Sequence, residues 1–475
     1  MTTTIFVCGD QPQVVHDVPD AVVVDGLCQS PHQIGAVALD VDRVVLVLHE
    51  GSYDLPGVQK ALRSIDVDPL GAQITDFKPG VDAVSLSAII GGLRARASAF
   101  VESVPEHAKP VLPELVTRRG FLRPPTPTYI AAPLVDQQMC AAGDGCRACV
   151  DVCPQNAYLW QAGRIVYDKH ACEPCGRCVT TCPIGAIENP AITTVMLEAQ
   201  VRALVDRVDV PAGIRFVCSR GTIEPRLGWS DIDVPCTSML PGSWLLACLL
   251  IGAGAATAVP CGESGCPLGL DAGAIQANDL AHAVLSESGL EPGMVTGAAI
   301  HDPILSDGLS DELEHPFGRD RAPDVMLAVA HVAQRDISII HPASNLGVVV
   351  IDASTCTLCG QCAKTCPTDA LVETYEGDTV SISFDARSCV NCTQCVSACP
   401  EVKRGAISVT GRIDVEMLVA ARRNLNEGTV ATCEVCGKAI APATMMDRIS
   451  DLLGEEFEAT LAVLKNRCLD CRGRP

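Results

Sequence analysis

Aromatic residues are scarce in this chain: 8 Phe, 5 Tyr and 3 Trp make up 3% of its 475 residues. Its cores must be built from Val, Ala, Leu and Ile, and from any metal that its cysteines hold. Basic residues are also few. Lys and Arg number 35 against 57 Asp and Glu, a formal net charge of −22. That balance excludes a nucleic-acid surface, since a phosphate backbone demands a basic one, and it suits a partner with a basic face. No G-x-G-x-x-G follows a strand pattern, so a flavin or nicotinamide fingerprint is missing. The stretch GAGAAT from Gly252 mimics its start, but it follows a helical apolar run, lacks the third glycine and feeds a strand. No nucleophile–base motif stands out. The opening MTTTIFVCGD has neither a basic n-region nor an apolar h-region, so nothing there directs export and a cytoplasmic location is expected. TRRGFLR, at 117–123, mimics a twin-arginine signal but lies deep in the chain with prolines after it. The uncharged run between Pro241 and Pro260 is broken by Gly-Ala-Gly and is expected to be a buried helix and strand, not a membrane span.

Cysteine is abundant instead. The chain has 27, in short-range clusters that read as metal ligands and not as disulfides. Two runs in succession read C-x2-C-x2-C-x3-C-P: Cys356, Cys359, Cys362, Cys366-Pro367, then Cys389, Cys392, Cys395, Cys399-Pro400. Three cysteines three residues apart wrap a loop around three corners of an iron–sulfur cube, and the fourth, ahead of proline, reaches the other cube. A zinc site would show two C-x2-C pairs well apart. This stretch, 346–412, resembles a two-cluster bacterial ferredoxin. The resemblance implies one cube on Cys356, Cys359, Cys362 and Cys399, and another on Cys389, Cys392, Cys395 and Cys366.

A second such unit occupies 128–192. Its runs are Cys140-x5-Cys146-x2-Cys149-x3-Cys153-Pro154 and Cys172-x2-Cys175-x2-Cys178-x3-Cys182-Pro183. The first run carries three extra residues in the flexible insert AAGDG, which can loop out. The crossing rule implies cubes on Cys140, Cys146, Cys149 and Cys182, and on Cys172, Cys175, Cys178 and Cys153. RIVYD and TVSISFD precede the second run of each unit as matching strands. The two units are an internal repeat, and together they imply four 4Fe–4S clusters.

Between the copies, 193–290 alternates helix and strand patterns, with Cys218, Cys236 and the pair Cys261-x4-Cys266 at or just beyond strand ends, where an open α/β sheet builds its sites. The segment resembles the delta subunit of methyl-viologen-reducing hydrogenase, which implies a 2Fe–2S cluster on those four cysteines. That family's opening C-x2-C pair is incomplete here, with Gly221 in the second position. Structural thiols or a zinc ion are the alternatives. Cys248, inside an apolar helix pattern, reads as a core residue.

Residues 1–104 read as a parallel-sheet α/β domain: the strands TIFVCGD, AVVVDGLC and RVVLVLHEG alternate with helix patterns. The segment is similar to the start of the flavin-carrying subunit of heterodisulfide reductase, through Cys8, the LCQ segment with Cys28, and the strand Arg43 to Leu48. That family binds a cluster there with additional cysteines. Here the third strand ends in His49-Glu50 where a cysteine would stand, so a structural domain is expected, with Cys8 and Cys28 as small buried hydrophobes.

Residues 105–127 are Pro-rich and read as a linker, and 291–345 as a connector ending in a short helix. His301, His315 and His331 lie in that connector without metal-ligand spacing. The last segment, 413–475, holds Cys433-x2-Cys436 and Cys468-x2-Cys471, two knuckles of the kind that hold one zinc ion; another iron–sulfur centre is the alternative. With sixteen ferredoxin-type ligands, four in the hydrogenase-delta-like segment and four in the tail, only Cys8, Cys28 and Cys248 remain. The expected fold class is multidomain, α/β and α+β: small parallel-sheet α/β domains, two dicluster ferredoxin-like units and a four-cysteine zinc-type tail. The expected function is an electron-transfer subunit of a cytoplasmic oxidoreductase complex of hydrogenase or heterodisulfide-reductase type, partnered by other redox proteins and without a membrane span. A reductase with its own centre at Cys218/Cys236/Cys261/Cys266 and a redox sensor are the alternatives.

Overall fold

Alternation of β-branched runs with amphipathic segments builds the first sheet. Its strands are Val22–Val24, Thr3–Cys8, Arg43–His49 and Gln73–Phe77, in that spatial order and all parallel. Arg43–His49 is buried along all but its last residue, as a central strand covered on both faces must be. One face packs Phe6, Leu46 and Leu48 against Val58 and Leu62 of the Leu55–Arg63 helix. The other packs Ile5, Val45 and Val47 against Leu86, Ile90 and Leu93 of the Ala83–Ser98 helix. The fourth strand, QITDF, has no strong alternation in the sequence and is an addition to the three expected.

These elements belong to a computed structural model that describes residues 2–10, 20–37, 41–49, 51, 53–77, 83–101, 108–111, 128–206, 213–221, 224, 226–261, 265–295, 309, 313–453 and 458–472. The chain divides into two compact units. The first comprises residues 1–139, 149–161 and 165–335; the second comprises 140–148, 162–164 and 336–475.

In the first unit a second parallel sheet has the order Trp229–Val234, Gly213–Cys218, Ala255–Ala258. Its covering helices are Thr194–Val205, Gly242–Ile251 and Asp271–Ser288, as the periodicity predicts. Gly242–Ile251 is buried on nearly every side, Cys248 included, and Gly252 ends it before the strand Ala255–Ala258. The GAGAAT stretch is therefore a helix stop. Among the described residues no helix is long and apolar enough to cross a membrane.

The Ala83–Ser98 helix lies on the Thr194–Val205 helix, and Arg96 pins the pair. Its guanidinium is buried and donates to Ala191 O at 2.8 Å, Asp233 O at 3.1 Å and Gln200 Oε1 at 3.2 Å. Burial pulls this arginine down to about 10, and Asp233 opposes the shift. The segments read separately as 1–104 and 193–290 thus share one unit. The Pro-rich stretch read as a linker also contains structure: Ala108–Val111 pairs antiparallel with Thr128–Ala131. TRRGFLR and His301 lie outside the described residues. His315 is exposed, and its Nδ1 lies 2.9 Å from Glu198 Oε2.

The second unit is antiparallel. Ile407–Asp414 lies between Ser338–Ile340 and Gly347–Ile351, and a further sheet has the order Leu371–Glu376, Thr379–Phe384, Arg423–Thr432, Ala439–Pro442. The strand Arg423–Thr432 pairs with Thr379–Phe384 and ends next to Cys433. The tail is therefore continued from the ferredoxin-like sheet by main-chain hydrogen bonds, through a ten-residue strand that the residue pattern does not predict.

Candidate metal centres

Each regular cysteine run adopts the same local path, and the spacing explains it. The residue after the second cysteine is left-handed: Gly176 at φ 75°, Gly360 at φ 69° and Thr393 at φ 60°. Glycine takes that conformation freely, whereas threonine takes it at a cost, as residues held around a functional centre do. A single helical turn follows, Arg177–Thr181, Gln361–Lys364 or Gln394–Ala398, and carries the third cysteine. The fourth cysteine stands just beyond the turn, where the following proline disfavours further helix.

In the second unit, tertiary packing groups these cysteines across the two runs. Cys356, Cys359, Cys362 and Cys399 line one cavity, together with Ile351 and Ile382. Cys389, Cys392, Cys395 and Cys366 line another with Val349 and Leu371. The eight thiols lie in walls of aliphatic side chains, and burial pushes Cys362 and Cys389 up to about 12. A thiol raised that far stays protonated at neutral pH until a cation takes the proton's place.

In the first unit Cys178, Cys175, Cys172 and Cys153 lie within electrostatic reach of one another. Burial pushes Cys178 up to about 12, and the other three add to that shift. Tyr158 Oη donates to Cys178 Sγ at 3.4 Å, while Ala157 N and Ala186 N donate to Cys153 Sγ and Cys182 Sγ at 3.3 and 3.2 Å. Such donors stabilise negative charge on sulfur. Lys109 adds a buried cation: its Nζ donates to Cys172 O at 2.6 Å. Its strand lies within the stretch read as a linker, and no cysteine spacing signals it. Cys149 lies in the turn Ala148–Val152. The insert AAGDG is wound into a 3₁₀ turn, Ala141–Asp144, and Cys146 N closes on Ala141 O at 3.1 Å behind Cys140.

The second parallel sheet carries its cysteines beyond its C-terminal edge. Cys218 ends the central strand, Cys236 precedes the turn Thr237–Met239, and Cys261 follows Ala255–Ala258. Their thiols influence one another in sequence, Cys236 with Cys218, Cys218 with Cys261 and Cys261 with Cys266. The hydrogen bond with Cys236 holds Cys218 down to about 7, against burial. These four do not converge on one point, whereas a mononuclear site would require it. The Cys236 turn also meets a cluster loop. A Cβ on Gly176 would fall 2.6 Å from Met239 Sδ, and Cys236 acts electrostatically on Cys175.

In the tail, Cys433, Cys436, Cys468 and Cys471 place their sulfurs within 4.8 Å of one another, with Cys436 Sγ 3.6 Å from Cys468 Sγ. Gly437 N donates to Cys433 O at 2.8 Å and Arg472 N to Cys468 O at 3.1 Å, so both C-x2-C segments are closed turns. Among the described residues one other group converges as tightly: Cys8, Cys28 and His49. Sequence reasoning placed the two cysteines in the core, where both are 2% exposed, and passed over the histidine.

Comparison with known families gives two matches, both to models described as a 4Fe-4S dicluster domain, at residues 142–186 and 348–400. The second spans all eight cysteines from Cys356 to Cys399, while the first begins just after Cys140 and spans the other seven of its unit. No curated protein matches the chain. The chain therefore carries two 4Fe-4S dicluster domains, which imply at least four 4Fe–4S clusters and an iron–sulfur role in electron transfer.

Proposed function

We propose that the chain is the electron-relay subunit of a cytoplasmic oxidoreductase complex of hydrogenase or heterodisulfide-reductase type. Electrons pass through four 4Fe–4S clusters and one 2Fe–2S cluster, and a zinc ion folds the tail. The cubes are assigned to Cys140/Cys146/Cys149/Cys182, Cys153/Cys172/Cys175/Cys178, Cys356/Cys359/Cys362/Cys399 and Cys366/Cys389/Cys392/Cys395. The two-iron cluster is assigned to Cys218, Cys236, Cys261 and Cys266, and the zinc to Cys433, Cys436, Cys468 and Cys471.

The observation that carries this reading is the contact between the Cys175–Gly176 loop and the Cys236–Met239 turn. It supports direct electron exchange between one cube and the smaller centre. The succession of thiol pairs at that centre suits a two-iron cluster, which would take two cysteine ligands on each iron. Convergence of the four tail sulfurs suits a single tetrahedral ion.

Anaerobically purified protein is expected to contain about 18 irons and at least one zinc per chain, with a two-iron EPR signal on reduction. About 16 irons without that signal would remove the smaller cluster from the relay. Substrate reduction by the isolated chain, with no partner present, would instead favour a catalytic centre at Cys218/Cys236/Cys261/Cys266.

Lys109 provides a further test. Replacing it with methionine removes a buried positive charge beside the Cys172 loop. The midpoint potential of that cube is expected to fall by roughly 50–100 mV, the equivalent of about 1–2 kcal/mol per electron. Potentiometric titration followed by EPR measures the shift; an unchanged potential would mean that the ammonium group is screened from the cluster.

A further inference from the structure

The first sheet gathers three metal-ligating side chains at one edge. Thr3–Cys8 and Arg43–His49 run parallel side by side and end at Cys8 and His49. The strand on the other side, Val22–Val24, leads into the turn that holds Cys28. C-terminal ends of adjacent parallel strands are where open α/β sheets place their ligands. Cys28 Sγ lies 3.4 Å from His49 Nδ1 and accepts from His49 N at 3.2 Å. One ligand atom from each of the three residues falls within 4.8 Å of the others.

These distances suit one ion. Tetrahedral zinc, with bonds of about 2.3 Å to sulfur and about 2.0–2.1 Å to nitrogen, holds a sulfur and a nitrogen ligand about 3.5 Å apart. A cube needs four ligands at separate corners. His49 Nε2 is sealed from solvent with no hydrogen-bond partner among the described residues, so Nδ1, which lies beside Cys28 Sγ, is the nitrogen placed to ligate. Asp10 stands at the rim: its Oδ2 lies 3.8 Å from Cys8 Sγ, and its Oδ1 accepts from Gly26 N at 3.3 Å.

We propose that Cys8, Cys28 and His49 bind a single zinc-type divalent ion, with Asp10 the carboxylate within reach of the fourth position. Binding replaces the protons of both thiols, so two protons are released per ion, and the ion ties the Cys28 turn to two strands of the sheet. This site is independent of the electron relay and of the tail zinc.

Elemental analysis of the full chain, purified anaerobically, tests the proposal. About two zincs per chain are expected. The variant Cys433→Ser/Cys468→Ser, altered only in the tail, should keep one of them. Its zinc K-edge spectrum should then show sulfur and nitrogen or oxygen neighbours together, where the tail site would show sulfur alone. Cys28→Ala and the milder His49→Gln should each lose one zinc while the iron content stays constant. Zinc falling to zero in the tail variant would overturn the site. So would loss of two to four irons in Cys28→Ala, which would make these residues cluster ligands.

Discussion

Iron loss in the double variant Cys356→Ala/Cys399→Ala is expected to equal the loss in either single variant, about four irons per chain. The two residues are 43 positions apart but line one cavity with Cys359 and Cys362, while Cys366 lies with Cys389, Cys392 and Cys395. If both bind one cube, removing the second ligand removes nothing further. Local pairing of each run would instead cost about eight irons in the double variant, because two cubes would each lose a ligand. Iron and acid-labile sulfide per chain decide between the two. Reduced protein should also show a diminished 4Fe–4S EPR signal, and the second unit should unfold at a lower denaturant concentration. Its core is aliphatic and small around both cavities, so metal and fold are coupled there.

Arg96→Leu is expected to destabilise the first unit by about 3–4 kcal/mol, because a buried guanidinium donates to three acceptors that leucine leaves unpaired. The acceptors lie at Ala191, at Gln200 on the Thr194–Val205 helix, and at Asp233, three residues before Cys236. The substitution should therefore also disturb the region of Cys218 and Cys236, read as broadening of the signal of the two-iron cluster proposed there. Anaerobic urea unfolding, followed by tryptophan fluorescence and by cluster absorbance, measures the two effects together. An unfolding midpoint within error of the parent would show that water satisfies these acceptors.

Cysteine spacing made the ferredoxin-type loops legible because cluster wrapping is local. A left-handed residue, one helical turn and a proline stop all follow from residues a few positions apart. Most of both parallel sheets was legible for a similar reason: β-branched runs between amphipathic segments form buried strands wherever they can be covered on both faces. The strand QITDF escaped notice because two polar residues interrupt its apolar pattern. Arg423–Thr432 escaped because its exposed, polar face resembles a loop until it pairs with Thr379–Phe384. The Ala108–Val111 strand was hidden among prolines, and with it Lys109, whose importance depends entirely on its nearness to Cys172.

By itself the sequence determined that this chain carries iron–sulfur chemistry, which loops take part, and that the chain is acidic overall, since ligand type, ligand spacing and net charge require no knowledge of the fold. Tertiary structure alone decided that a cluster loop touches the Cys236 turn and that His49 joins Cys8 and Cys28. Those outcomes depend on which strand ends lie side by side and which helices Arg96 holds together. Residues 21 to 137 positions apart meet there through packing and main-chain pairing, and contacts over such separations leave no periodic trace in the chain.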